Sequence, residues 1–481
     1  MNEANILSPL KSLLGSSGYH DDPEKLTPWL TDWRGRYTGK AAAMLSPANT
    51  AEVAEIVKFA AANRIALVPQ GGNSGMVAGA TPDQSGNSLL LSMRRMNTFV
   101  SIDPTSGDAV AEAGLILQSF HEAVAPFGRR FPLTLGGKGS ATIGGLISTN
   151  AGGTQVLRHG TMRSLVMGIE AVLPDGSIFD GMAPLKKDNR GYDLKHLLIG
   201  GEGTIGIVTK AVLRTVPALI DRCVVWAGVR SPSDAYRLLQ FLTRRAGASL
   251  EGFEILPQSA LNAVLRHIPG TRAPLADPHD WHILIEFVQD DPAQSAPMEH
   301  ATELMAAALE IGLASDVALS ASEAQAEAFW KIRDSISEAE RAEGPALQHD
   351  ISVPVADMAR FIEAESPLLE AKFAGTRIVA FGHLGDGNVH YHVKAPRGMS
   401  AAQWYDEYGP PISAYVYDRV QAYRGSLSAE HGIGMAKLDE FERLAEPARL
   451  MAVRAIKSAL DPLNIMNPGK LVPLAQSGLA P

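Results

Sequence analysis

An α+β protein in two parts is what this sequence predicts. Three observations carry it: short β-rich runs separated by glycine up to about residue 217, longer alanine- and leucine-rich helical stretches after it, and glycine-dense segments that return near the end. The first clear unit is a helix, a strand and a loop in that order. Asn49 followed by Glu52 makes an N-cap with a capping box, and Val53, Ile56, Val57 and Ala60 mark one helical face. Ala66-Leu67-Val68-Pro69 is then a short buried strand running into Gln70-Gly71-Gly72-Asn73-Ser74-Gly75. The runs Ser88–Met93, Ala109–Glu112, Ser164–Leu173 and Ile205–Pro217 fit a largely antiparallel or mixed sheet.

Helices are expected over 232–246, 293–314, 322–343 and 399–424, with strands such as Trp281–Val288 and Arg377–Phe381 between them. The glycines and the turn Asn467-Pro468-Gly469 return at 425–470, so the tail is expected to fold back on the first part. The division this implies is 1–218, 219–424 and 425–481. No repeat at solenoid periods and no low-complexity segment is present.

Composition narrows the class. Of 481 residues, 46% are hydrophobic and 20% charged, an ordinary globular balance. Mean hydropathy is near zero, and no apolar run approaches the roughly 20 residues that span a bilayer. Met1–Leu10 lacks a basic stretch followed by an apolar core, so no signal peptide is expected. Cys223 is the single cysteine, which rules out an intramolecular disulfide and fits a reducing cytosol. The expected location is cytoplasmic, with a peripheral place at the inner face of the membrane as its variant. A net charge of −9 argues against a nucleic-acid partner, and leaves an anionic substrate to be captured by local cations.

Gly201-Glu202-Gly203-Thr204-Ile205-Gly206 has the spacing of a dinucleotide fingerprint, but that motif needs a helix directly after it. The alternating, β-branched Ile207-Val208-Thr209-Lys210-Ala211-Val212-Leu213 follows instead. Gly137-Lys138 is no phosphate loop of the Walker type either, since Gly139 stands where a hydroxyl residue is required. Successive side-chain-free amides form concave nests for phosphate oxygens, and loops 71–75 and 136–145 could each hold one phosphate of a dinucleotide. The same glycines also serve as plain tight-turn formers.

Two further segments carry chemistry. Arg377–Phe381 leads into Gly382-His383-Leu384-Gly385-Asp386-Gly387-Asn388-Val389-His390-Tyr391-His392. The Gly-Asp-Gly turn places His383 and His390 across a hairpin, and His392 shares a strand face with His390. Asp386 orders its turn. Glu430-His431, among small residues, adds a carboxylate and another imidazole. Two histidines and one carboxylate with open positions are a ligand set for catalytic zinc or iron(II). Hydrogen-bonded core histidines are the alternative. On the expected helix 322–343, Phe329, Ile332 and Ile336 form the apolar stripe, and Trp330, Arg333 and Ser337 the adjoining face. Arg333 either forks onto a substrate carboxylate or is a solvated arginine paired with Asp334 or Glu338.

Pro69–Met76 resembles the pyrophosphate loop of the vanillyl-alcohol oxidase / p-cresol methylhydroxylase flavoproteins. Leu135–Gly153, Gly200–Thr209 and Asn467-Pro468-Gly469-Lys470 resemble that superfamily's further flavin segments, in its order. The branch resembled is the FAD-binding 2-hydroxyacid dehydrogenases, which includes D-2-hydroxyglutarate dehydrogenase, D-lactate dehydrogenase and the glycolate oxidase D subunit. The resemblance implies a two-part FAD-binding domain of the p-cresol methylhydroxylase type plus an α+β cap domain. It implies flavin contacts at Pro69, Gly71, Gly72, Asn73, Ser74, Gly75 and Met76. Others fall at Gly136, Gly139, Ser140, Thr142, Gly144, Gly145, Asn150, Gly152 and Gly153, and at Glu202, Ile207 and Asn467. Asn73 stands where some relatives carry a flavin-linked histidine, so the FAD is expected to be dissociable.

The resemblance also implies metal ligands at His383, His390 and Glu430, with zinc the expected ion, and a catalytic base at His431. Arg333 and Ser337 become substrate contacts. Two positions depart from the hydroxyglutarate pattern: Gln348 replaces a lysine and His392 an asparagine, which puts a dicarboxylate preference in question. The implied reaction is oxidation of a small D-2-hydroxy acid to the 2-oxo acid, with hydride passing from Cα to flavin N5. The hydroxyl proton goes to His431. The implied acceptor is a quinone, an electron-transfer flavoprotein or a cytochrome, and a homodimer is allowed. Two alternatives are an oxygen-using oxidase and a flavin- and metal-binding redox subunit without turnover.

Overall fold

The computed structural model describes residues 6–474. The chain forms two compact units. One takes the described residues up to Gly153, then Gly160–Val216 and those from Glu430 to Leu474; the other takes Thr154–His159 and Pro217–Ala429. The chain thus passes between the units at 153–154, 159–160, 216–217 and 429–430.

The first unit holds two sheets. Its mixed four-stranded sheet runs Tyr19–His20, Ala43–Leu45, Leu89–Ser92, Leu67–Gln70, the last three mutually parallel. The helix Thr50–Asn63 precedes the Leu67 strand and is capped as its sequence foretold. The Asn49 side chain accepts from the Glu52 amide at 2.9 Å, while Glu52 accepts from the Ala48 amide at 2.7 Å. The second sheet is antiparallel, in the order Phe99–Ile102, Asp108–Glu112, Ile207–Arg214, Val166–Val172, Ile178–Gly181. Gly201–Gly206 therefore leads into a strand, as the β-branched run after it requires. The C-terminal segment returns to this unit: Leu67 donates to Ile465 O at 2.8 Å, and Asn467 donates to Leu67 O at 2.8 Å.

The second unit is built on one antiparallel sheet of seven strands. Their order is Asp316–Leu319, Asp221–Val229, Trp281–Gln289, Leu250–Pro257, Arg377–His383, Asn388–Lys394, Ala346–Ser352. One face buries Val224, Trp226, Leu256, Leu284, Val379 and Phe381 under Leu261, Val264, Phe329, Ile332 and Ile336. The helix Pro232–Ala246 matches its expected span, with Ser231 as N-cap. The single helix expected over 322–343 is two, Glu323–Asp334 and Ile336–Ala342, parted at Ser335. Asp334 and Ser335 are weak helix formers whose side chains compete for backbone groups. The break turns Ile336, Ala339 and Glu340 inward and leaves Ser337 exposed, so Arg333 and Ser337 do not share one helix.

Candidate functional site

In the first unit, the loop after the strand Leu67–Gln70 carries a run of uncommitted donors. Among the described residues, the backbone amides of Gly72, Asn73, Ser74, Gly75 and Met76 donate to no protein acceptor. Asn73 sits at φ 52°, which alternates the chain direction and curves those amides into a concave nest. Its side chain is used elsewhere, donating to Thr31 O at 2.8 Å. Loop 136–145 closes on this loop. A Cβ on Gly72 would strike Ser140 O, and one on Gly71 would strike the Thr142 hydroxyl, so only glycine permits the approach. Thr142 also caps the helix Ile143–Thr149. Gly136, Gly139 and Ser140 are exposed, whereas Gly144, Gly152 and Gly153 are buried. Gly144 lies against Ala113 and Gly153 against Thr134.

The third and fourth glycine segments meet the first one. Gly203 packs on Pro69, and Glu202 is buried in a left-handed conformation (φ 47°). The Glu202 carboxylate accepts from the Ile433 amide at 2.7 Å and the Gly434 amide at 2.8 Å. Burial pushes its pKa up, opposed by those two amides and by Lys437 and Lys470. Glu202 thereby tethers the loop that carries Glu430 and His431, whose Oε1 and Nε2 are 3.8 Å apart. Asn467 donates to Gly79 O at 2.9 Å and to Glu202 O at 2.8 Å, while its buried Oδ1 has no partner. Gln70 Oε1 is likewise buried and unpartnered. Asn150 (φ 50°) holds its turn by accepting from Thr161 Oγ1 and the Arg163 amide, and Ile207 opens the following strand, buried. Open amides, orphaned polar atoms and glycine-only approaches together suit a ligand rich in phosphate and ring oxygens, which is what FAD presents.

In the second unit, the register of the seven-stranded sheet sets polar side chains in cross-strand rows on the same face that carries Val379 and Phe381, because directly opposed residues share a face. Glu254, His383, Asn388 and Ser352 form the first row. Phe381, His390 and Asp350 form the second, and Val379, His392 and Gln348 the third. His383 and His390 are diagonal neighbours with ring centroids 5.5 Å apart. The turn between them is ordered by Asp386, which accepts from the Asn388 amide at 3.0 Å.

Three buried carboxylates, absent from the sequence reading, organise this face. Glu254 accepts from His383 Nδ1 at 2.5 Å and from Arg333 Nε at 2.6 Å, and is itself 1% exposed. Burial alone would raise the Glu254 pKa, but the charges of His383 and Arg333 hold it down at about 2; Glu254 in turn raises His383 to about 9. Burial, with Arg333 and His383 nearby, depresses His390 well below its usual value. Glu340 pairs with His392 Nδ1. Asp350 accepts from Asn388 Nδ2 at 2.9 Å and lies 3.9 Å from His390 Nδ1. Arg333 is buried, paired with Glu254 and stacked over Phe381 at 5.3 Å; it is not the solvated arginine of the alternative reading. Gln348 is half-buried and Ser337 lies outside the rows. The only signal for Glu254 was that it is one of two acids, with Glu251, in the strand Leu250-Glu251-Gly252-Phe253-Glu254-Ile255-Leu256.

With Nδ1 of His383 bound to a carboxylate, its Nε2 is the remaining ring donor, the arrangement that orients metal-ligating histidines. The donor chemistry of the His383–His390 pair therefore fits a divalent cation.

Comparison with known proteins agrees with both units. Residues 41–181 match the family described as "FAD binding domain", and residues 220–471 match "FAD linked oxidases, C-terminal domain". The fold is shared with p-cresol methylhydroxylase, at a TM-score of 0.77 over 97% of this chain and 96% of that one, with 15% identity. These define a flavoprotein oxidoreductase fold. D-2-hydroxyglutarate dehydrogenase, mitochondrial, of Arabidopsis thaliana is 37% identical over 98% of this chain and 82% of its own length. D-2-hydroxyglutarate dehydrogenase of Xanthomonas citri pv. viticola is 34% identical over 98% and 97%. The chain belongs to the FAD-dependent 2-hydroxyacid dehydrogenase family of the vanillyl-alcohol oxidase / p-cresol methylhydroxylase superfamily.

Proposed function

We propose that this flavoenzyme oxidises a D-2-hydroxy acid to the 2-oxo acid, using a divalent cation held by His383, His390 and Glu430. The observation that carries the reading is Glu254, one buried carboxylate that holds both His383 Nδ1 and Arg333 Nε. It fixes the imidazole with Nε2 presented, and it orients the guanidinium that is to receive the substrate carboxylate. Glu430 is the third ligand in this reading; it follows Ala429, whose amide donates to Asp350 O at 3.4 Å.

Bound FAD supplies a hydride acceptor at N5, and a bound cation lowers the hydroxyl pKa as zinc brings that of water to about 7. His431 removes the hydroxyl proton. It is adjacent to Glu430 but branches from another backbone position, so a ligand role for one leaves the other available as base. The Glu202 carboxylate supports this by fixing the amides of Ile433 and Gly434 just beyond it. Zinc is the expected ion, since the ligand atoms are nitrogen and oxygen and the reaction needs no redox change at the metal. A bound FAD would pass its electrons on to a quinone, another flavoprotein or a cytochrome.

The test is anaerobic flavin bleaching by a panel of D- and L-2-hydroxy acids, followed by reoxidation with air or with a dye. Bleaching by D acids and fast reoxidation only by the dye is the expected result. Bleaching confined to L acids, or none with any hydroxy acid, would overturn the reading.

A further inference from the structure

Residues 154–159 belong to the second unit, although the chain on either side of them lies in the first. They include one short helical turn, Val156–His159, too brief to hold itself in place. Charge seats it. Arg158 Nη1 donates to Glu251 Oε2 at 2.9 Å, and its Nη2 lies 2.8 Å from Asp290 Oδ2. The Arg158 side chain is 14% exposed and that of Glu251 1%, so this fork is both desolvated and directional. Glu251 lies near the start of the strand Leu250–Pro257, and Asp290 directly follows the strand Trp281–Gln289. Arg158 is thereby tied to two adjacent central strands at once.

This anchor delivers Leu157 to the turn between the two imidazoles. Gly385, two residues after His383, carries Leu157 directly over it: a Cβ there would stand 3.0 Å from Leu157 Cδ1 and 3.1 Å from Cδ2. Thr154 O lies over Gly252 in the same way, 3.7 Å from where a Cβ would stand, two residues before Glu254. The segment thus runs across the two glycines that flank the Glu254–His383 pair. Val353 also supports the turn, its amide donating to Gly387 O at 3.0 Å. That support is backbone, whereas Leu157 contributes a half-buried side chain.

The turn governs how the strands Arg377–His383 and Asn388–Lys394 converge, and with them the placing of the His383 and His390 rings, whose centroids are 5.5 Å apart. A metal site holds its ligand distances within about 0.2 Å, so a turn without support costs affinity before it costs the fold. We propose that Leu157 is a positioning residue for the cation site, pressed onto the Gly385 turn by the Arg158 anchor. The inference rests on the cation site proposed above.

The test titrates zinc into FAD-loaded, metal-stripped protein against a chromogenic chelator, with the melting temperature and FAD content of each variant measured alongside. Leu157→Ala should weaken zinc binding by about tenfold, the lower end of what losing an outer support of a metal ligand costs, with FAD content unchanged. Leu157→Met, which keeps the volume, should restore most of the affinity. Arg158→Lys keeps the charge but loses the fork. It should weaken zinc binding in the wild-type background and add little to Leu157→Ala, because it acts through the same side chain. Unchanged zinc affinity in folded Leu157→Ala overturns the proposal, as does a loss of FAD equal to the loss of zinc. Additive losses from Leu157→Ala and Arg158→Lys overturn the link between the two residues. Zinc binding that survives His383→Ala would instead sink the proposed cation site itself.

Discussion

At the scale of single residues, the chemistry of this chain rests on which nitrogen of each histidine is already spoken for. His383 uses Nδ1 on Glu254, and in the proposed site Nε2 faces the cation. His383→Ala should therefore lose the metal, whereas His431→Ala should keep both metal and FAD yet slow flavin reduction by roughly two to four orders of magnitude. Metal content and single-turnover bleaching on the two variants decide this; metal loss from His431→Ala would make it a ligand rather than the base. His282 shows the same logic with no catalytic role. Trp226 Nε1 donates to its Nδ1 at 3.0 Å, so the proton is on Nε2, 2.8 Å from Gln258 Oε1. Burial, aided by His279, depresses its pKa to about 4. A histidine depressed in the folded state adds stability that is complete above its unfolded pKa near 6.5. That stability is lost as pH falls from there toward 4, roughly 3 kcal/mol in all. Melting should be lower at pH 5 than at pH 7.5, and His282→Leu, though less stable, should show a shallower dependence. Equal slopes would remove His282 as the cause. The sequence disclosed His383 and His390 through their Gly-Asp-Gly turn. Glu254 stayed hidden because both faces of its central strand are covered, so an acid there looks like an ordinary solvent-facing position.

Among elements, the hairpin Arg377–Lys394 was legible because its turn residues announce it and its strands are apolar. The cap at Asn49 and the helix Pro232–Ala246 were legible for the same local reason. The split at Ser335 was not, since the stripe of Phe329, Ile332 and Ile336 continues across it and only docking on the sheet selects the bend. The hairpin turn depends on Gly387 (φ 84°), where a Cβ would strike Val353 O while the Val353 amide donates back to Gly387 O at 3.0 Å. Gly387→Ala should cost more than the ~1–2 kcal/mol of left-handed strain alone, because Val353 must also give way. Gly398, also left-handed (φ 82°) but with open space at its Cβ, isolates the strain component. Gly387→Ala is expected to lower the melting temperature clearly more than Gly398→Ala and to weaken metal binding. Equal destabilisation by the two would show that the close approach to Val353 contributes nothing.

For the whole molecule, the order of segments in the chain hides how the first unit is assembled. Gly79, Glu202, Gly434 and Asn467 come from four distant stretches, yet Glu202 and Asn467 bond them together. Glycine density and motif order pointed to these stretches, whereas the pairing of Glu202 with the 433–434 amides is a tertiary fact that no local pattern encodes. The flavin loops lie in this unit and the two imidazoles in the other, so in the proposed scheme the phosphate-binding amides and the imidazole ligands come from separate scaffolds. Strong chelation should consequently abolish turnover while leaving the protein folded and yellow, and adding zinc back should restore activity. The flavin should nonetheless leave on acid treatment. Asn73 offers an amide, which is no nucleophile toward the isoalloxazine ring, and that amide is already bonded to Thr31 O. Flavin absorbance and elemental analysis before and after dialysis, then flavin fluorescence in the acid supernatant, follow both cofactors in one preparation. Full activity in a metal-free sample would remove the cation from the mechanism. FAD lost together with the metal would show that the two sites are not independent, and flavin remaining with the acid-precipitated chain would establish a covalent link that Asn73 cannot make.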